Sequence, residues 1–250
     1  MNWYWEYKKS LKMVEVEEVI DLILYRPLAF LLVISVYNTK IKPDHLTLTA
    51  MLMGIIGGYF YSIGSHQSAI IGAICYLLFN IFDCSDGQLA RLKKNGSSVG
   101  RLLDGIADYI AAIAVYAGIV IGYSNSPEQS SHMTILIALA GISIIVQESL
   151  VDYFRMRFLD IVLQRQLIAK RKRKKFISST PEKYFKANRI IIRFWVFMGP
   201  SAKITILILC SFFCRFDIFF WIVIGGFNIL AVLLWLIQYR IDKTFETQKI

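Results

Sequence analysis

The sequence predicts an all-α integral membrane protein: six transmembrane helices preceded by an N-terminal interfacial amphipathic helix. Three observations carry this. Of the 250 residues, 56% are hydrophobic and only 18% charged, against about 25% charged in ordinary soluble domains. Mean hydropathy is +0.52, more apolar surface than one soluble core needs. The apolar residues also fall into long runs, and the Lys and Arg residues of the connectors gather on one side of them.

Residues 1–45 read as an N-terminal juxtamembrane segment. It is aromatic at the start (Trp3, Tyr4, Trp5, Tyr7), then carries lysines, and has an apolar stretch only from Pro27 to Tyr37. That stretch is short for a span of about 20 residues, so the segment is expected to lie along the membrane surface, a short first span being the competing reading. Glu15, Glu17, Glu18 and Asp21 interrupt the apolar core that a signal peptide would have, so the N-terminus is expected to be retained. Six apolar segments follow, at about 46–64, 68–92, 99–123, 133–158, 190–213 and 218–239. They form one domain over residues 46–240, with a basic loop at about 159–189 and a tail at 241–250. The connector SNSPEQSSH after the third segment has no Lys or Arg, whereas Lys93, Lys94, the basic loop and Arg240 lie on the other side. The positive-inside rule puts that side and both termini in the cytoplasm, of a bacterial or archaeal cell membrane or an ER-type membrane.

The net charge of +10 is concentrated between Arg165 and Arg189. Such a run can bind nucleic acid, but beside membrane helices it fits anionic lipid headgroups better, and no nucleic-acid partner is expected. Cys75, Cys84, Cys210 and Cys214 lie in apolar stretches without zinc-ligand spacing and read as small packing residues.

Two apolar segments carry acids where unbroken hydrocarbon is expected. Asp83 and Asp86 stand three apart, and Gly100, Asp104 and Asp108 four apart. Each set forms a stripe on one helix face, and a turn around Lys93–Ser97 lets the stripes face each other. A bare carboxylate in a membrane costs at least about 2.5 kcal/mol, so a cation must offset the set. Oxygen-only ligands suit Mg²⁺ or Mn²⁺, and four carboxylates can share two ions, the arrangement used for in-line displacement at phosphorus. Gly87, Gly100 and Ala90 leave room for a ligand at the helix surface, and Arg91 offers a fixed cation for a phosphate. Asp83 lies ten residues before Lys93, about 15 Å along a helix. The site therefore sits near headgroup depth, within reach of both a lipid-linked phosphate and a water-soluble partner.

The run D-x2-D-G-x2-A-R-x8-G-x3-D-x3-D, filled here by Asp83, Asp86, Gly87, Ala90, Arg91, Gly100, Asp104 and Asp108, resembles the signature of the CDP-alcohol phosphotransferase family. The layout resembles it too, since that family has six spans, an N-terminal surface helix and the motif across spans two and three. Pro43 to Thr47 is similar to the family's Pro-Asn-x-x-Thr element, with Asp44 where Asn is usual. The resemblance implies that Asp83, Asp86 and Asp104 ligate two metals, that Asp108 touches a metal and acts as general base, and that Gly87, Ala90, Arg91, Gly100, Pro43 and Thr47 shape the CDP-donor site. It implies attack of an acceptor hydroxyl on the donor phosphorus with loss of CMP, and homodimers.

The acceptor is less legible. Arg155, Arg193 and Lys203 are candidates for holding an anionic acceptor. Tyr25-Arg26-Pro27 with Thr39–Pro43 is loosely similar to family members that make inositol phosphodiesters. The expected reaction is therefore transfer from CDP-diacylglycerol to inositol phosphate in phospholipid biosynthesis. Glycerol phosphate or serine as acceptor, and a CDP-choline or CDP-ethanolamine donor with diacylglycerol, are the alternatives. A prenyltransferase would carry two Asp-rich motifs far apart, and Arg91 would be out of place beside the path of a divalent-cation transporter.

Overall fold

A computed structural model describes residues 3–124, 131–171 and 179–246, all secondary structure among them being helical. Helix α1 spans Trp3–Ser10, α2 Arg26–Tyr37, α3 Pro43–Ser62, α4 His66–Lys93, α5 Ser98–Ser124, α6 Ser131–Arg171, α7 Ser179–Phe197, α8 Pro200–Phe212, α9 Phe216–Trp221 and α10 Asn228–Glu246. A wide turn at Asp21–Tyr25 leads into α2, and another at Ile222–Phe227 joins α9 to α10. Five stretches are long and apolar enough to cross a membrane: His66–Lys93, Ser98–Ser124, Ile135–Leu163, Tyr184–Phe212 and Phe216–Thr244. The chain is a multi-pass membrane protein. The first expected span, α3, has 20 residues, about 30 Å, but His45, Thr47, Thr49 and three glycines lower its hydropathy, and it is not among the five.

The sequence punctuates these helices where they end. Pro43 and Pro200 each sit in a first turn, where no N–H is missed. Ser65 caps α4 by accepting from the Ser68 N–H. Lys94 closes α4 in the left-handed conformation. Gly199 and Pro200 break the fifth apolar stretch into α7 and α8.

The basic stretch corrects one expectation. Residues 159–171 continue α6 and residues 179–189 belong to α7, so most of the expected loop is helix. The run is rich in Leu, Ile, Gln, Arg and Lys and has no Gly, and its Pro181 falls in the first turn of α7; nothing in it stops a helix. The side chains from Arg165 to Lys175, and Lys183, lie outside the described residues. Arg157 bonds Asp242, which also accepts from Tyr184 at 2.9 Å, while Gln238 donates to Asn188 at 2.7 Å.

The packing of the first hairpin corrects another. α3, not α5, lies along α4, and the other side of α3 lies along α5, while α4 and α5 touch each other little. Close approach is possible because small residues line both seams. A Cβ on Gly58 or Gly118 would overlap backbone of the facing helix, and a Cβ on Gly57 would come within 3.2 Å of the Gly72 carbonyl oxygen. The outer side of α5 carries Leu102, Ile106, Tyr109 and Ile113, all exposed and spaced for one face.

The N-terminal segment is not one surface helix. After α1 the chain leaves helix geometry, then returns before Asp21. Glu17, Glu18, Asp21, Tyr25, Arg26, Ala29 and Val33 are buried, packed toward α4 and α8 rather than presented to an interface. The four acids that read only as an argument against a signal peptide include three that are inside the protein.

Candidate active site

Asp83, Asp104 and Asp108 converge. One carboxylate oxygen from each lies within 4.8 Å of the other two. Because α3 wedges α4 and α5 apart, these side chains meet across a gap between the two helices instead of along a packed seam. Asp83 and Asp104 are half-buried and Asp108 is exposed, so the cluster opens outward through Asp108. Oxygens bound to one Mg²⁺ at about 2.1 Å stand within roughly 4.2 Å of each other. Three carboxylates at this spacing, with no His or Cys in the group, fit a hard divalent cation such as Mg²⁺ or Mn²⁺ after small side-chain rotations.

Asp86, expected beside them, is placed differently. It is buried one turn along α4, outside the converging group, and accepts a hydrogen bond from the Thr47 hydroxyl. The same Thr47 hydroxyl lies 3.3 Å from the Pro43 carbonyl oxygen, within the first turn of α3. Lys93, at the end of α4, donates to the carbonyls of Thr39 and Ile41 at 3.0 and 2.9 Å. The segment from Thr39 to Thr47 is thus pinned against the acid helix at both ends. Asp44 lies against the start of α5, where a Cβ on Gly100 would come 3.0 Å from its Oδ1. The Gly100 N–H donates to Ser97 Oγ at 2.8 Å, which opens that helix.

The Arg91 guanidinium lies back over Gly87, where a Cβ would stand 3.4 Å from both of its terminal nitrogens. Its Nε donates to the Ser10 carbonyl, and its second terminal nitrogen is buried with no hydrogen-bond partner. An unsatisfied, buried guanidinium N–H beside the acid cluster is a ready donor for a phosphate oxygen. Ala90, half-buried on the same helix, stands close enough to Gly96 that a Cβ there would touch its own at 3.9 Å.

Of the cations expected to hold an acceptor, two already have carboxylate partners. Lys203 is 2% exposed, bonds Glu148 and donates to the Met198 carbonyl at 2.6 Å. Arg155 pairs with Asp152 one turn away. Arg193 is exposed on α7. Gln147, a further polar residue of α6, donates to the Val223 carbonyl and to Asn228, joining α6 to the last hairpin.

Sequence reasoning missed the residues that surround the motif from the N-terminal side. Glu17 accepts from the Lys12 N–H at 2.7 Å and pairs with Arg26 at 3.0 Å. Arg26 also donates to the Cys84 carbonyl at 3.0 Å. Glu18 accepts from the Ser201 N–H at 2.9 Å, capping α8 from a distant part of the chain, and Gly199 leaves the room it needs. Burial, with Asp21 and Glu148 beside it, holds the Glu18 carboxyl well above the usual carboxylate range. A group raised in the folded state stabilises below its unfolded value, and that contribution is lost as pH rises through the folded value. Glu18→Gln keeps the acceptor for Ser201 and removes the charge. It is therefore expected to raise the melting temperature at pH 8, by on the order of 2–4 °C per kcal/mol relieved, and to change it little at pH 4. A larger gain at pH 4 than at pH 8 in thermal scans would contradict the assignment. The signal for these residues was present: an ionisable group every few positions in a segment otherwise suited to an interface.

The family described as CDP-alcohol phosphatidyltransferase matches residues 40–200 of the chain. That range contains Pro43, Thr47, the whole acid motif and the break at Gly199, and it leaves out α1 and α2. No curated protein matches the sequence.

Proposed function

The chain belongs to the CDP-alcohol phosphatidyltransferase family, and from that premise we propose that it transfers a phosphatidyl group from CDP-diacylglycerol to the hydroxyl of a small polar alcohol, releasing CMP. The observation that carries the proposal is the convergence of Asp83, Asp104 and Asp108 across the gap between α4 and α5. When bound, divalent metal, Mg²⁺ or Mn²⁺ and two ions in the full proposal, supplies charge neutralisation at the diphosphate.

The residues divide the remaining work. Asp83 and Asp104, with Asp108 beside them, would hold the cation, and Asp86 is kept in register by Thr47. Arg91 reaches the donor phosphate with its unpartnered nitrogen, and Gly87, Ala90 and Gly100 leave space for the cytidine end. Asp108, the exposed member, takes the proton from the acceptor hydroxyl. The hydroxyl oxygen then bonds to the phosphorus that carries the diacylglycerol, the bridging oxygen–phosphorus bond breaks, and CMP departs with the electron pair. α3 serves as the sixth span, and Lys93, Lys94 and the basic residues between the fourth and fifth apolar segments support a cytoplasmic position for the acid cluster. The acceptor proposed is inositol phosphate, on the likeness of Tyr25-Arg26-Pro27 and Thr39–Pro43. Because Lys203 already faces Glu148 and Arg155 faces Asp152, Arg193 is left as the cation to meet an acceptor phosphate.

The test is CMP release by purified protein with Mg²⁺ and CDP-diacylglycerol, against inositol phosphate, glycerol phosphate and serine. CMP is expected with one acceptor, and none after chelation or in Asp104→Ala. CMP only from CDP-choline or CDP-ethanolamine with diacylglycerol would replace donor and acceptor alike. No CMP from any combination would overturn the reading.

A further inference from the structure

We infer that Arg26, outside the matched family region, is a positioning residue for the acid cluster, fixing the roll of α4 through a reciprocal clamp on Cys84 and Gln88. The inference rests on the metal-dependent reading of Asp83, Asp104 and Asp108. Its ground is a closed set of bonds. The Arg26 side chain donates to the Cys84 carbonyl at 3.0 Å, and Gln88, one turn further along α4, donates back to the Arg26 carbonyl at 3.2 Å. Side chain and backbone of one residue thus grip two points on one helix face. Both partners are buried, Arg26 being 6% exposed and Gln88 fully enclosed.

The grip matters because of where it falls. Cys84 lies between Asp83 and Asp86. A carboxylate stands about 6 Å from its helix axis, so a 20° roll of α4 would carry it roughly 2 Å. Metal–ligand distances tolerate about 0.2 Å. The neighbouring seam with α3 passes through Gly57 and Gly72, where close approach offers few ridges to lock rotation, and its bond from Thr47 holds Asp86, which lies outside the converging group. The clamp supplies the lock.

Placement, not charge, is what Arg26 provides. Glu17 meets its guanidinium at 3.0 and 3.2 Å, so the pair presents little net charge to the cluster. Lysine at position 26 would keep the charge but lose the planar fork that reaches Glu17 and Cys84 together. A charge-balancing role would be rescued by lysine; a positioning role would not.

The experiment is a Mn²⁺ titration of the full chain in lipid nanodiscs, followed by the electron paramagnetic resonance of free Mn²⁺, with melting temperature measured on the same samples. Wild type is expected to bind Mn²⁺, and Arg26→Lys to bind it about tenfold or more weakly while still melting cooperatively. Gln88→Leu, which leaves the Arg26–Glu17 pair intact, is expected to weaken Mn²⁺ in the same direction. Arg26→Lys with wild-type affinity would overturn the inference. If that variant does not fold, Gln88→Leu decides, and unchanged affinity there overturns it equally. A wild type that binds no Mn²⁺ would remove the metal reading itself and this inference with it, whereas wild-type binding without CMP release would remove only the proposed transfer chemistry.

Discussion

Asp108→Asn is expected to lower the rate of CMP release by about two to four orders of magnitude, the range that a positioned general base contributes, while leaving donor binding nearly intact. The contrast with Asp83 makes the expectation specific. Asp83 and Asp104 are half-buried, and removing either charge takes a ligand from the inner side of the cluster. Asp83→Asn should therefore lose both turnover and Mn²⁺ affinity. Asp108 is the exposed member of the cluster, and the proposed role needs it open to an arriving hydroxyl. Asparagine there keeps the size and an oxygen toward the cluster but cannot accept the proton. The measurement is CMP release together with equilibrium binding of CDP-diacylglycerol in nanodiscs. Full turnover in Asp108→Asn would remove it from the chemistry. Loss of donor binding equal to that of Asp83→Asn would make it a ligand and no base.

The boundaries of α4 and α5 and the acid positions were legible because they depend on short-range rules. The expected spans at 68–92 and 99–123 differ from α4 and α5 by one or two residues at each end, and Ser65, Pro43 and Gly199 mark ends by local chemistry alone. The three-dimensional order was not legible. Two acid stripes joined by a short turn suggested direct packing of α4 on α5. Instead, Gly54, Gly58, Gly118 and Gly122 make α3 and α5 the closer pair, and only a partner's shape decides which glycine-bearing face is filled. The buried pairing of Glu17, Glu18 and Arg26 escaped notice for a related reason. Exposed ionisable groups and buried, mutually paired ones look alike in a sequence, and each of these finds its partner on another helix or in a distant part of the chain. Lys203 read as a candidate to hold an anionic acceptor, and its counter-ion Glu148 lies 55 positions away.

The α3–α5 seam carries the other large expected effect. A side chain at Gly118 would drive its Cβ into the Gly58 carbonyl, and one at Gly58 would strike the Ala114 carbonyl. Both obstacles are backbone, so no rotamer change relieves them and the helices must separate. Overpacking a core with movable side chains already costs about 1–3 kcal/mol, and displacing two helix backbones costs more. Gly118→Val is therefore expected to abolish a monodisperse, cooperatively melting protein after extraction. Gly141→Ala is the control: its Cβ would meet nothing within 4 Å, and helix propensity alone favours alanine there by up to about 1 kcal/mol. A milder substitution, Gly118→Ala, links the seam to the chemistry. Asp104 and Asp108 ride on α5, 14 and 10 residues before Gly118, so tilting α5 away from α3 carries both away from Asp83. Size-exclusion profiles and melting curves would report the seam, and Mn²⁺ titration of Gly118→Ala the cluster. A wild-type melting temperature in Gly118→Val would mean that α3 and α5 do not meet at these glycines, and the gap that holds the three carboxylates would need another cause.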